Sequence, residues 1–490
     1  MGPDSTAAAR AGPARPRSPG QALKSLSPRH RWRGVNGYRH LLALGLPIMA
    51  SNISVSAMLF TNRLFLSHYS LDAVAASLPA GITYVTVAAF FQGLVSYVSV
   101  FTAQYTGSGR PRRAAAALWQ GLYLAVFSGL LIGLTYFAAP WMFRLGGHPG
   151  PVQELETLYY RILCVPAGLH LVFLALASFL SGLGRTRVVM WVDLAGALIN
   201  IPLTYFLIFG LRLGDRQVLG EHGAAGAAAA NVISWLAVAL IFALIVFNRK
   251  MEASHGVFQA WKPDLRLIRR LAAYGLPGGL QRFMELAAFT FFAFAVGRLG
   301  EIYLAANNII FSIESLSFFP MLGVGASVSI LVGQSIGRDR PDEAAEAMFS
   351  GVVVSTFYVS IVAAVFLILP ETLLGLFLSD SYTPAEAGRI LELGVVLLRF
   401  VVIYSLFDGL YLCAFGALSG AGDVWFPMAA MGLTGLAGLI LPIWLLFELN
   451  LASINSLWIV FVLYILILNA AGNWRYRQGR WRDKKVIEKT

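Results

Sequence analysis

The sequence predicts an all-α integral membrane protein: twelve transmembrane helices arranged as two parallel six-helix repeats. Three observations carry that prediction. The 490 residues are 57% hydrophobic and only 13% charged, with a mean hydropathy of +0.68, whereas an average soluble domain carries about twice that charged fraction. Pro, Gly and charge clusters divide the chain into about twelve apolar runs near the roughly 20 residues that a bilayer-crossing helix needs. The chain also repeats itself: Ser99, Gln104, Gly107, Arg110-Pro111 and Ala117 align with Ser329, Gln334, Gly337, Arg340-Pro341 and Ala347, each 230 positions on, and Gly45-Leu46-Pro47 aligns with Gly275-Leu276-Pro277 at the same offset.

Residues 1–39 are rich in Pro, Arg, Ser and Ala and lack the apolar core and cleavage site of a secretory signal, so they read as a disordered basic cytoplasmic tail. Their Arg-rich, acid-poor composition is shared with transit peptides, but no clean amphipathic helix accompanies it. Spans near 41–66, 79–103, 117–139, 157–180, 188–209 and 224–247 then build an N-lobe over 40–247. The strongly basic segment 248–270 reads as a cytoplasmic linker whose charge also suits anionic lipid headgroups. Spans near 271–296, 304–333, 348–369, 390–417, 425–447 and 452–472 build a C-lobe over 271–472, followed by a second basic cytoplasmic tail, 473–490. Late in each half Leu180-Ser181-Gly182 matches Leu418-Ser419-Gly420, where the larger offset implies a small insertion in the second copy.

Basic loops stay cytoplasmic, and Lys and Arg divide roughly 28 against 5 between the two sides, which puts both termini in the cytoplasm of a plasma (inner) membrane. An even number of spans per repeat starts both copies on the same side. The repeats are therefore parallel, related by an axis along the membrane normal.

Composition also excludes functions. The net charge of +12 is spread between and beyond apolar runs rather than gathered on one face, which speaks against nucleic acid. Cys164 and Cys413 both sit in apolar stretches and support neither a disulfide framework nor a thiolate metal site. The chain carries no His-Glu-x-x-His, no phosphate-binding loop and no paired catalytic acids within one motif, so neither an enzyme nor an ATP-driven pump is expected, and no cofactor.

An ionisable side chain in hydrocarbon costs several kcal/mol unless it faces protein or water, so each one inside a span is a functional candidate. Glu285, Glu314, Asp408, Asp193 and His170 lie well inside predicted spans, while Arg63, Arg161, Arg282, Glu392 and Arg399 lie nearer ends, where snorkelling makes them cheaper. A buried carboxylate can take up a proton or ligate sodium in one state and release it in another, which makes Glu285 and Asp408 the leading cation-coupling pair and the two groups expected to hold sodium. Arg282, three residues before Glu285 on the same helical face, is a local competitor for it. For Glu314 both a site role and a structural salt bridge remain open. His170 occupies the repeat position of Asp408 and reads either as a proton sensor or as a histidine satisfied by its neighbours.

Together Gly45-Leu46-Pro47, Ala103-Gln104 with Gly107, Gly182-Leu183-Gly184-Arg185-Thr186-Arg187, Asn200-Ile201-Pro202, Ala305-Ala306-Asn307-Asn308, Ile313-Glu314-Ser315-Leu316-Ser317 and Val332-Gly333-Gln334 give the chain a sequence that resembles the multidrug and toxic compound extrusion family, of the NorM or DinF type, from about residue 40 to 472. The resemblance implies a twelve-helix antiporter that expels small organic cations in exchange for sodium ions or protons. It points again to Glu285 and Asp408 as the acids of the seventh and tenth helices, and to Asn308 and Phe318 as an amide and an aromatic of the second-lobe cation site. Asn200 and Thr204 match polar positions of the first-lobe network. Many members carry an aspartate in the first span where this chain has Asn62, which cannot take up a proton; Asp193, two turns before Asn200, is then a candidate substitute. A monomer is expected. The alternative, a flippase of lipid-linked saccharide precursors with related architecture, would want Arg and Lys deep in the cavity, whereas the deep charges here are mainly acidic.

Overall fold

The computed structural model describes residues 28–144, 146, 149–213, 216–378 and 383–488. Among them eleven helices are long and apolar enough to cross a bilayer, and a twelfth crossing is the pair Gly150–Cys164 and Ala167–Gly182, bent by 45° where Pro166 interrupts the backbone ladder. In order, the spans are Tyr38–Tyr69, Leu71–Ser96 continuing as Val98–Gly107, Pro111–Leu134, the bent pair, Thr186–Phe209 and Gly223–Val246. The second set is Leu265–Gly297, Glu301–Gly337, Pro341–Ile368, Pro384–Ala421, Trp425–Thr434 passing through a π segment Gly435–Ile440 into Leu441–Glu448, and Ile454–Arg477.

The helix ends follow from local chemistry. Pro111 and Pro341, one repeat apart, open the third and ninth spans at a position where a missing N–H costs nothing. Asp264 caps the seventh span by accepting from the Leu267 N–H, and Thr383 with Glu386 forms a capping box on the tenth. One element departs from the all-helical expectation: Leu211–Leu213 pairs antiparallel with Arg216–Leu219 in a short hairpin between the fifth and sixth spans.

Three apolar cores form: one drawing mainly on spans one to six, with Leu267 and Leu271 of the seventh, one on spans seven to twelve, and one where the start of the first span packs with the eighth, ninth and tenth, so that packing is shared between the two lobes. The lobes meet through two seams related by the repeat, the first span against the eighth and the second against the seventh. At the membrane end that carries the chain termini, Gln104 donates its amide to the Gly420 carbonyl at 2.9 Å, and its repeat partner Gln334 donates to the Gly182 carbonyl at 3.1 Å. Each lobe thus clasps the other by the same contact. Between these clasps the backbones touch: a Cβ on Gly107 would lie 2.0 Å from the Gln334 carbonyl oxygen, and one on Gly337 2.1 Å from that of Gln104. Since neither backbone can yield there, Gly337→Val must push the lobes apart. The expected loss is about 1–3 kcal/mol, read as a lower unfolding midpoint of the purified protein; an unchanged midpoint would show that the seam tolerates a side chain.

The termini are more ordered than the sequence suggests. Residues 1–27 lie outside the described residues, but Pro28–Arg33 is helical and Asn36 is buried, donating to Ser335 Oγ at 2.8 Å and to the Glu343 carbonyl at 2.7 Å. The reading of 1–39 as disordered therefore fails from residue 28 on, because an arm that enters the first lobe is pinned to the second. The linker behaves reciprocally: Trp119 Nε1 donates to the Val257 carbonyl at 2.6 Å, Gln120 accepts from the Asp264 N–H at 3.1 Å, and Arg113 pairs with Asp264 at 3.1 Å. Burial alone would raise the Asp264 carboxyl, but the Leu267 N–H and Arg113 outweigh it and hold it below the usual range.

Candidate functional site

In the second lobe, three spans supply carboxylates, with Asp408 within electrostatic reach of both Glu314 and Glu285. Asp408 of the tenth span is 5% exposed, and its Oδ2 is buried with no hydrogen-bond partner. Glu314 of the eighth span is buried as well, and Tyr404, one turn before Asp408, lies beside it. Glu285 of the seventh span is only partly buried; it pairs with Arg282 at 3.0 Å along its own helix while remaining within electrostatic reach of Asp408. Asp408 thus stands in a poorly solvated place within reach of two other acids, a setting that favours uptake of a proton or a cation.

On the same spans, other buried polar atoms are left without partners. Both amide atoms of Asn307, Ser317 Oγ and Ser405 Oγ are buried without partners. Asn307 lies two turns before Glu314, Ser317 one turn after it, and Ser405 one turn before Asp408, so helical periodicity puts each on its acid's side of the helix. Buried polar atoms are rarely left unsatisfied, and several of them on the acids' own helix faces suit a site that exchanges small ligands. Tyr411, beside Gln281, and Tyr464 also stand within the field of Glu285 and Asp408. Among the described residues no three His, Cys, Asp or Glu side chains lie close enough to hold a metal ion together. Sodium bound by Glu285 or Asp408 would therefore draw on the neighbouring hydroxyl and amide oxygens.

Asn308 does not join this group. It is exposed and lines a shallow groove of about 360 Å³ with Glu301, Leu304, Ala305, Ile309 and Ser312, while the adjacent Asn307 is the amide turned inward. The pair Asn307-Asn308 offers two registers, and periodicity from Glu314 selects the first. Phe318, one turn after Glu314, is half-buried with its ring 6.1 Å from that of Phe319.

The first lobe is built differently. Asn62 Nδ2 donates to Asn231 Oδ1 at 3.1 Å, and Asn200 Nδ2 donates to the same oxygen at 3.2 Å and to Ser234 Oγ at 3.1 Å. Thr204 Oγ1 donates to Asn200 Oδ1 at 3.3 Å. All five side chains are buried and none is an acid. Asp193 does not complete the network; it lies beside Ser51 of the first span, and among the described residues no hydrogen bond links it to Asn62, Asn200 or Asn231. Sequence reasoning missed Asn231 and Ser234, although an amide inside the apolar run of the sixth span was the available signal.

His170 Nδ1 lies 2.9 Å from the Tyr84 hydroxyl, and its ring stacks on Trp235 at 4.7 Å and Phe173 at 5.1 Å. Its surroundings are aromatic, whereas its repeat counterpart Asp408 stands among carboxylates. Arg63, Glu392 and Arg399 are exposed.

Comparison with known proteins agrees with this architecture. A family model described as MatE matches residues 47–206 and 277–444, one block in each lobe. Among solved structures the chain is similar to a transporter of the MOP superfamily from Pyrococcus furiosus Vc1 (DSM3638), described as having a binding pocket of reverse polarity; identity is 20%, coverage 93% of this chain and 98% of that one, and the TM-score 0.82. It is also similar to an outward-facing multidrug resistance transporter of the MATE family and MOP superfamily, at 19% identity, 93% and 98% coverage and a TM-score of 0.81. A third, a MATE protein in complex with MaL6, matches at 19% identity, 93% and 99% coverage and a TM-score of 0.82. At these identities the likeness is one of fold.

Proposed function

Because the chain belongs to the MatE family of multidrug and toxic compound extrusion transporters, we propose that it exports small organic cations in exchange for sodium ions or protons by alternating access. The observation that supports this most is the burial of Asp408 within electrostatic reach of Glu314 and Glu285, three acids from three spans of one lobe, on spans that also carry buried polar atoms without partners. Coupling needs a site that gains a positive charge in one state and yields it in another. The reach of two other acids to Asp408 favours uptake of either a coupling ion or a cationic guest, and the two would compete for one region of negative potential. No ATP-hydrolysing motif accompanies the site, so the driving force would be an ion gradient.

On this reading the protein is a monomer in the plasma membrane with both termini cytoplasmic, as the asymmetry of Lys and Arg favours. The contacts of Gln104, Gln334, Gly107 and Gly337 then close the cytoplasmic side. A flippase of anionic lipid precursors finds less support, since the deep site is acidic.

Ethidium efflux measured in everted vesicles under a sodium gradient alone and a proton gradient alone tests the proposal. One of the two gradients is expected to accelerate efflux about tenfold or more over vesicles with neither, which corresponds to about 1.4 kcal/mol in barrier. Efflux indifferent to both gradients would overturn it.

A further inference from the structure

The C-terminal segment after the twelfth span is read from sequence as a basic tail, yet it folds back across the cytoplasmic end of both lobes. Gly479, with φ 72°, turns the chain, and Trp481 is buried with its Nε1 donating to the Tyr476 carbonyl at 3.0 Å. Lys484 then reaches Asp423 at 2.6 Å, a carboxylate with 1% exposure that also holds Arg475 at 2.7 Å. Lys485 pairs with Asp339, Arg482 with Asp342 at 3.2 Å. These contacts fasten the segment to the second lobe.

The next residues fasten it to the first. Val486 and Ile487 are buried, and the Val486 N–H donates to Gln104 Oε1 at 2.9 Å, on the same side chain whose amide clasps Gly420. Glu488 then joins the two lobes through one carboxylate. Its Oε1 accepts from Arg113 Nε at 3.0 Å; its Oε2 accepts from the Tyr105 hydroxyl at 2.8 Å and from Arg270 at 2.6 Å. Tyr105 and Arg113 belong to the first lobe, Arg270 to the start of the seventh span. Arg110 lies 3.6 Å away on the same carboxylate.

From this arrangement we infer that residues 480–488 are a strap that holds the cytoplasmic side shut and must let go for the lobes to part there. The inference rests on the alternating-access reading for its purpose but not for its geometry. Without the Glu488 carboxylate, Arg113 keeps Asp264, but Arg110 of one lobe and Arg270 of the other are left as like charges across the seam, so removing it both cuts a tie and adds repulsion. Burial alone would raise the Glu488 carboxyl, but hydrogen bonds from its own backbone, Tyr105, Arg270 and Arg113 outweigh this and hold it at about 2, below its ordinary 4.5. A depressed carboxyl stabilises above its ordinary value and loses that contribution as pH falls through the depressed one. The tie therefore stays charged at neutral pH, and competition by other anions at the arginines, rather than protonation, is the route to release.

Spin labels at Arg187→Cys and Trp425→Cys test the strap, because these exposed positions are repeat equivalents, one in each lobe at the cytoplasmic face. The buried Cys164 and Cys413 are replaced by alanine, and pulsed electron resonance reads the distance distribution in lipid nanodiscs without cargo. Glu488→Gln and deletion of 480–490 are each expected to raise the long-distance population about fivefold or more, and Glu488→Asp to restore much of the short one. Identical distributions in all variants overturn the strap. A shift in the deletion alone overturns Glu488 as its anchor. Because no transport is measured, these outcomes remain separable from failure of the export reading.

Discussion

Asp408→Asn is expected to cut gradient-driven export of ethidium about tenfold or more, with normal expression and an unchanged unfolding midpoint or a slightly higher one. The sign on stability follows from burial: Asp408 carries an unpartnered oxygen at 5% exposure among other acids, and a neutral amide of the same shape removes like-charge repulsion there. The sign on transport follows from the same fact, since an amide neither takes up a proton nor offers a full negative charge to a cation. Glu314→Gln should behave alike, because Glu314 is equally deep and touches Tyr404. Glu285→Gln should cost less, about two- to threefold, since Glu285 is 27% exposed and already engaged by the half-exposed Arg282, and ion pairs near the surface contribute at most about 1 kcal/mol. Efflux by Asp408→Asn at the wild-type rate would remove the acid from the coupling step. This ranking differs from the sequence reading, which puts Glu285 and Asp408 first together and leaves Glu314 open.

The architecture was legible because it is written twice. Bilayer thickness sets the length of each apolar run, and duplication sets its order, so twelve crossings and two halves follow from the sequence alone. Gln104 and Gln334 even share one contact in two copies. What periodicity cannot supply is the partner of a side chain on another helix. Neighbouring Asn307 and Asn308 are equally polar in sequence, and only once packing of the eighth span against the tenth shows Glu314 to be buried does periodicity turn Asn307 inward. Asp193 shares a helical face with Asn200, yet the first span presents Ser51 to it rather than the amide network. The tail from Arg480 to Glu488 gives no apolar signal apart from Trp481 and Val486-Ile487, and its order comes from long-range pairing with acids and arginines far away in sequence.

The first lobe allows the sharpest test of why its network lacks an acid. Asn62 Nδ2 donates to Asn231 Oδ1, which already accepts from Asn200, while Asn62 Oδ1 is buried without a partner. In Asn62→Asp a protonated carboxyl can still donate to Asn231, but an ionised one has no hydrogen to give and sets two oxygens against each other. Reversing the amides of Asn231 and Asn200 would repair the first contact and turn the Asn200 amide toward the Thr204 hydroxyl, which can accept in place of donating. The ionised form thus keeps its hydrogen bonds only by reorganising Asn231, Asn200 and Thr204 and by drawing the Ser234 hydroxyl off the Ala230 carbonyl, and it retains a buried charge, a situation that typically costs about 3–5 kcal/mol when no partner neutralises it. The protonated form is favoured in the fold, so the stability of Asn62→Asp should fall as pH rises from 5 to 9 relative to the native chain, whose amide does not titrate. Unfolding midpoints across that range check the first effect, and ethidium efflux under a proton gradient checks the second, a pH dependence of transport that differs from that of the native chain. If both profiles superimpose on those of the native chain, position 62 is indifferent to charge, and the absence of an acid there carries no consequence for coupling.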